Sequence, residues 1–460
     1  MSINFSSFEI ARRALAAQQL GVAVTGQNIA NVNTPGYSRQ RVELVESAPA
    51  QIGGFSLGTG VSVAGIQTFR DIFIESRLQT ETGISGRLGA RRDALAPVET
   101  ALQGSASGGL QNAMAAFFGA FRDLEGNPNS VPLRAVVLQK AGNLSSSFQS
   151  TRGRLEDIQR STDGQVRSTA DEINSISQKI AGLNENIRVA EATGGNASPL
   201  IDQRTELVNA IAEKAGAKAV SNDDGTVTIT IGEGRALVSG GTAFSLTAAP
   251  TPPNGFATVL LDGQPAVFDE GAIKGLQEAL AETTNQISDL DGLAATIAQR
   301  VNALHAAGTD MDGNPGLELF DTAAPITAAN LRLNPVVAGN PRTVVASAVP
   351  QPNEHGTVAG QIAGLLTDTN SAVGSRTGSF GSIFGAMVSD AGEAVKSADD
   401  ALQTQSAIIA QVTAQRNAVS GVSLDEEAIN LMQYQKAYEA AARFMRVADE
   451  MTQTILSLAQ

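Results

Sequence analysis

Both ends of the chain place apolar or small side chains at alternating intervals of three and four residues. That spacing belongs to a helix burying one narrow stripe against another helix. In the first segment the stripe is Phe8, Ala11, Leu15, Val22, Ile29 and Val32, with Gln18 and Thr25 between them. In the last it is Leu431, Tyr434, Tyr438, Ala441, Met445, Ala448, Thr452 and Ile455. Ser6 with Glu9, and Ser423 with Glu426, have the spacing of capping boxes. Asp425, Glu426 and Glu427 put negative charge where the dipole of the last helix favours it.

Between these ends lie further seams. Val166, Thr169, Ile173, Ile176, Ile180, Leu183, Ile187 and Ala190 form one, and Ile273 through Leu304 form another. Residues 71–103 and 387–418 read as helix with a less regular pattern. Ser198-Pro199 is expected to open a helix that Gly216 ends. From Thr226 to Ile231 threonines alternate with Val227, Ile229 and Ile231, as in a half-buried strand. Residues 40–69 read as a β-hairpin or extended excursion, and 310–355 as irregular chain with short strands.

The expected fold is mainly α with a β insertion (α+β), an elongated multi-domain rod. Residues 1–36 and 421–460 would pair as a terminal coiled-coil domain. A helical rod domain would span 37–216 and 271–420, with a small inserted β domain at 217–270. Nesting of the segments brings the two chain ends together. Composition agrees: aromatics are 4%, with no Trp, which suits slim helical packing better than an aromatic-rich globule.

The 460 residues include no cysteine, so disulfides and thiolate sites are excluded. A net charge of −14 disfavours nucleic acid and anionic lipid as partners. No apolar run approaches the ~20 residues of a membrane span. Glu9, Arg12 and Arg13 break up the stretch where a cleavable leader would need its apolar core.

The first helix runs into Asn28-Ile29-Ala30-Asn31-Val32-Asn33-Thr34-Pro35-Gly36-Tyr37. Locally this is a helix stop followed by a type II turn, with Pro35 and Gly36 at its centre. The string as a whole resembles the signature that follows the first helix of flagellar rod, hook and hook-associated proteins. The resemblance rests on Asn28, Ala30, Asn31, Asn33, Thr34, Pro35, Gly36 and Tyr37. The stretch from Ser420 to Met445, with its Leu424–Ala428 and Tyr438–Ala441 runs, is similar to the end of the hook-associated members. Leu200-Ile201-Asp202-Gln203-Arg204 also looks like an internal element of that branch.

The resemblance implies a structural subunit at the hook–filament junction, outside the cell, exported without a cleaved signal peptide. Partners would be copies of itself, the hook protein, an adjacent junction protein, and a cytosolic export chaperone on the C-terminal segment. No nucleic acid, membrane insertion or cofactor is expected. The terminal helices would line an inner tube, and the 28–37 turn would redirect the chain outward. Another axial protein, such as a hook or distal-rod subunit, is the nearest alternative.

Competing motifs are weaker. Gly54-Phe55-Ser56-Leu57-Gly58 fits the nucleophile-elbow pattern, but strand-like Gly60–Val63 follows where that motif requires a helix. A secreted hydrolase is therefore the alternative from another class, and an acidic adhesin on a helical stalk is a third; no enzyme is expected. Asp310, Asp312 and Asn314 imitate the start of a calcium loop, yet Pro315 stands where Gly is needed and Asp321 where Glu is. His305 and His355 have no second ligand nearby in sequence.

The terminal stripes contain many Ala, Gln and Thr, so their pairing within one chain is weak against a backbone ordering cost of ~1–2 kcal/mol per residue. Both ends are expected to become ordered only on assembly. Residues 1–40 carry three Arg against one Glu, and 421–460 carry six acids against three bases, which aids their register.

Overall fold

A computed structural model describes residues 2–34, 36–52, 55–104, 109–250, 255–349 and 355–458. Helix α1 (Ser2–Ala30) leads into strands β1 (Gln40–Glu46), β2 (Ala50–Ile52), β3 (Phe55–Leu57) and β4 (Val61–Thr68). Helices α2 (Ile72–Gln103), α3 (Leu110–Gly126), α4 (Val131–Ala192) and α5 (Ser198–Ala215) follow. Seven strands come next: β5 (Lys218–Ser221), β6 (Val227–Ile231), β7 (Arg235–Ser239), β8 (Thr242–Ala243), β9 (Leu246–Pro250), β10 (Ala257–Leu261) and β11 (Gln264–Pro265). The remainder is α6 (Ala272–Ala306), α7 (Pro335–Ala338), α8 (Thr357–Gly364), β12 (Ser371–Val373), β13 (Arg376–Gly378), α9 (Phe380–Ser420) and α10 (Leu424–Leu458). The fold is mainly α with several small antiparallel sheets.

Two compact units divide the chain. The first is Met1–Ile84, Glu172–Ser245 and Gln405–Gln460; the second is Ser85–Asp171 and Leu246–Thr404. Helices α2, α4 and α9 contribute residues to both.

In the first unit, α1 and α10 pack against each other, and β1 pairs antiparallel with β4 beside α1. The β2–β3 hairpin extends that excursion. A four-stranded meander, β5-β6-β7-β8, sits with α5 and the last third of α4. Its inward set is the one that strand alternation requires: Val227, Ile229 and Ile231 are buried and Thr228 and Thr230 are not. Gly216 ends α5 with φ +62°. Ser198 is not the cap of α5: Ala197 holds that position, and the Ser198 hydroxyl lies 2.8 Å from that of Thr68.

The second unit is centred on α6, whose expected seam is buried from Ile273 to Val301. On α3, Phe117 packs on Phe118 and Phe121 at ring separations of 5.0 and 5.3 Å; Phe117 also meets Phe320 at 5.8 Å and Phe118 meets Phe380 at 5.9 Å. Its three-stranded sheet, β9-β10-β11, repeats the same alternation through Ala257, Val259 and Leu261. The span 217–270, read from the sequence as one insertion, thus carries two sheets, one in each unit.

Candidate functional site: where the two chain ends meet

Asn28 is 1% exposed near the end of α1, and every bonding position of its carboxamide facing the chain is used. Its Oδ1 accepts from Tyr37 Oη at 2.7 Å and from the Gln40 amide at 3.1 Å. Its Nδ2 donates to the Gln40 carbonyl at 2.8 Å and to Glu427 Oε2 at 3.1 Å. One side chain therefore ties the first helix, the turn, β1 and the last helix. Glu427 is 3% exposed, and Ser423 heads its helix with its hydroxyl facing the Glu426 amide at 3.5 Å. Glu426 does not reach back to complete a capping box, because Arg39 Nη1 holds it at 2.6 Å.

Burial, then the negative charges of Asp202 and Glu427, push the Tyr37 phenol up to about 12, so it remains a donor to Asn28. The turn is built as its residue types require. Tyr37 N bonds the Thr34 carbonyl, and Gly36 has φ +76°, the positive φ that the third residue of a type II turn needs. That φ demands glycine; the Glu206 carboxyl end that a Cβ would meet is exposed and could swing aside. Pro35 lies outside the described residues. Asn31 and Thr34 brace the turn from inside: Thr34 Oγ1 donates to Asn31 Oδ1 at 3.1 Å, and Asn31 Nδ2 to the Gln27 carbonyl at 2.9 Å. Ala30 and Asn33 are exposed.

Three arginines that pattern reading did not single out hold this junction. Arg39 N donates to the Ser420 carbonyl at 2.9 Å, and its guanidinium lies 4.7 Å from the Phe69 ring centre. Arg416 Nε binds Glu75 at 2.6 Å and its Nη2 reaches the Gly36 carbonyl at 3.2 Å. Arg70 bonds Ser38 and pairs with Asp202. Asp202 belongs to the Leu200–Arg204 run. Two residues on, Arg204 lies 7% exposed with its Nη1 on Asn184 Oδ1 and the Gly225 carbonyl. Burial, followed by the charge of Arg70, lowers the Arg204 guanidinium to about 10. That run thus anchors the turn at one end and the meander sheet at the other.

The terminal stripes are arranged differently from the sequence expectation. Ala11 is buried, but Phe8, Leu15, Val22 and Ile29 are only half-buried. The covered face of α1 is instead Ala17, Gly21, Val24, Thr25 and Asn28, displaced by one residue around the helix. Small residues set that face: a Cβ on Gly21 would lie 2.6 Å from the Tyr434 ring, so the helices cross where α1 has no side chain. On α10, Ala448 is buried, Leu431, Tyr434, Ala441 and Met445 are half-buried, and Tyr438 is 42% exposed. The side chain of Ile455 lies outside the described set. A second stripe on α10, Ile429, Met432, Phe444, Val447 and Met451, is 45–57% exposed. Helix α1 begins at Ser2, so Ser6 is not its cap; Glu9 is taken by Arg12 and Arg13, which pull its carboxyl down to about 2.

Other candidates resolve as local structure. Ser56 lies in β3, followed by extended chain. Asp310 spends its oxygens on the Asp312 and Asn314 amides and on Asn314 Nδ2, and Asp312 pairs with Arg342. Among the described residues no group of three His, Cys, Asp or Glu side chains is placed to hold a metal. No described helix is long and apolar enough to cross a membrane.

Paired terminal helices, a clamped turn after the first of them and a helical middle define a flagellar axial protein. Residues 8–37 match the flagella basal body rod protein family, and 414–458 match the C-terminal region of the basal body rod FlgEFG proteins. Residues 95–320 match the helical domain of the flagellar hook-associated protein FlgK. Similarity to flagellar hook-associated protein 1 of Bacillus subtilis is 26% identity over 99% of both chains. With that of Escherichia coli it is 25%, over 97% of this chain and 98% of the other. The flagellar hook junction protein FlgK of Burkholderia pseudomallei shares the fold, with a TM-score of 0.65 at 16% identity over 75% of this chain and 100% of that one. The chain belongs to the flagellar hook-associated protein 1 family. It is a structural component of the bacterial flagellum at the hook–filament junction.

Proposed function

We propose that the protein joins hook to filament through its two terminal helices, which order fully only when neighbouring subunits cover them. The observation that carries this is the α10 stripe of Ile429, Met432, Phe444, Val447 and Met451, left half open to water while the opposite face packs on α1. Covering the open half of each side chain contributes about 1 kcal/mol, or on the order of 5 kcal/mol over the stripe. The displaced stripe on α1 acts likewise: Phe8, Leu15, Val22 and Ile29 keep apolar surface for an outside partner. Tyr37, Gly36 and Asn28 then serve as the corner that turns the chain from the terminal pair toward the rest of the molecule.

Copies of the chain, the hook subunit and an adjacent junction protein supply the neighbours. Export proceeds without a cleaved leader, with the C-terminal segment held by a cytosolic chaperone until assembly; the apolar stripe of α10 is the surface such a chaperone would cover. The terminal pair is 1–36 with 421–460, the helical rod domain is 37–216 with 271–420, and 217–270 is the β insertion.

Limited proteolysis of the purified monomer tests the proposal. Rapid trimming is expected to a core beginning around residues 35–70 and ending around 400–420. Resistance of the first and last thirty residues would contradict ordering on assembly. An epitope label found away from the boundary between hook and filament would contradict the junction role itself.

A further inference from the structure

Among the described residues, the two most exposed large apolar side chains are neighbours. Phe73 is 80% exposed and Ile72 is 69% exposed, at the start of α2. Soluble surfaces rarely offer such a pair without use for it. The backbone beneath the pair is fixed, since Asp71 Oδ1 accepts from the Phe73 amide at 2.8 Å and the Ile74 amide at 3.2 Å; docking has only the two side chains left to order.

The same unit contains a hole of matching size. Between α1, β1 and α10 lies a cavity of about 250 Å³ whose apolar wall includes Val24, Val42, Phe69 and Tyr434. A cavity of about 150 Å³ is enough to hold benzene.

We infer that the Asp71–Phe73 corner of one copy seats in this cavity of the next copy. Phe73 fills the apolar part. Of the charged residues lining the cavity, Glu426 is held by Arg39 and Glu427 by Asn28, whereas Arg41 is exposed with no ion pair among the described residues, so Arg41 is the group that meets Asp71. A knob and a hole on one chain fit either a reciprocal two-fold pair or a head-to-tail series; copies side by side around a tube require the second, in which each copy gives its knob to one neighbour and its hole to the other. The inference rests on the junction reading, which places copies side by side.

Absence of cysteine makes the test clean. Phe73→Cys and Ile429→Cys, the latter at the cavity mouth, are introduced singly and together in cells that make only that version. Flagella are isolated and mildly oxidised. The double variant is expected to give disulfide-linked dimers and longer ladders of this chain, and each single variant to remain monomeric. Dimers from Phe73→Cys alone, a link within one chain only, or a link to a subunit of different mass would each overturn the inference. Absence of any link, with the protein still located at the hook–filament boundary, overturns the contact and leaves the junction reading standing; loss from that boundary in the unaltered protein overturns the reading itself. In parallel, Phe73→Ser, which alters an exposed side chain and spares the fold, is expected to leave at least tenfold fewer hooks bearing filaments, and Phe73→Leu to retain most. Normal filament numbers with Phe73→Ser would also overturn it.

Discussion

Acid should loosen the second unit through a single histidine. His305 is fully buried on α6, its Nδ1–H donating to the Leu317 carbonyl and its Nε2 accepting from Val345 N at 2.9 Å. Both nitrogens are occupied in the neutral form, and a second proton on Nε2 would point at an N–H. Burial lowers its pKa from 6.5 to about 4; the Leu317 carbonyl resists this and the charge of Arg134 assists it. The unfolded chain takes up this proton near pH 6.5 and the folded chain only near 4. The stability involved is therefore complete above about 6.5 and is lost as pH falls toward 4. A shift of 2.5 units corresponds to a loss of ~3.4 kcal/mol in full, with ~0.8 gone at pH 6 and ~2 at pH 5. Urea unfolding of the parent and of His305→Gln between pH 7.5 and 4.5 reads it directly, because the carboxylates titrate alike in both. Glutamine can still donate to Leu317 and accept from Val345 but cannot charge. The parent's advantage should shrink by ~2 kcal/mol between pH 7.5 and 5. An advantage that stays constant across that range would refute the assignment of a neutral, pH-sensitive core histidine.

Two further outcomes follow from the clamp. Tyr37→Phe removes one hydrogen bond, a loss of about 1 kcal/mol; Asn28→Ala strands Tyr37, both Gln40 backbone groups and Glu427, a loss of about 3 kcal/mol or more. The temperature at which the protein in isolated flagella becomes protease-sensitive should fall in that order. Gly21→Ala should weaken the α1–α10 pair by about 1–3 kcal/mol through the Tyr434 ring, although alanine is the better helix former by about 1 kcal/mol. The check is motility at raised temperature, reduced by Gly21→Ala and recovered when Tyr434→Leu is added.

Much of this molecule is legible from its sequence because its local signals are strong. The α6 seam from Ile273 to Val301, the alternation in Val227–Ile231, the αL glycine at 216 and the Gly36 turn are all short-range consequences of residue type. The functional motif was equally visible as a string, and the family resemblance it carried agrees with the comparisons. The physical roles of its residues were not. Asn28 reads as a helix stop, yet it is the clamp of both termini, since Glu427 lies 399 positions away in the chain. The same distance hides Arg39, Arg70 and Arg416, which look like solvated charges until folding sets Glu426, Asp202 and Glu75 beside them.

Sequence alone therefore determined that the ends are helical, that they pair and that a turn follows the first. Those depend on periodicity and on backbone preferences within a few residues. Which face of each helix is covered was decided only in three dimensions. Gly21 lets Tyr434 approach, so α1 turns its small side chains to α10, and larger ones remain for others. A stripe one residue away has almost the same period, and periodicity cannot choose between two such stripes; the closeness of packing does.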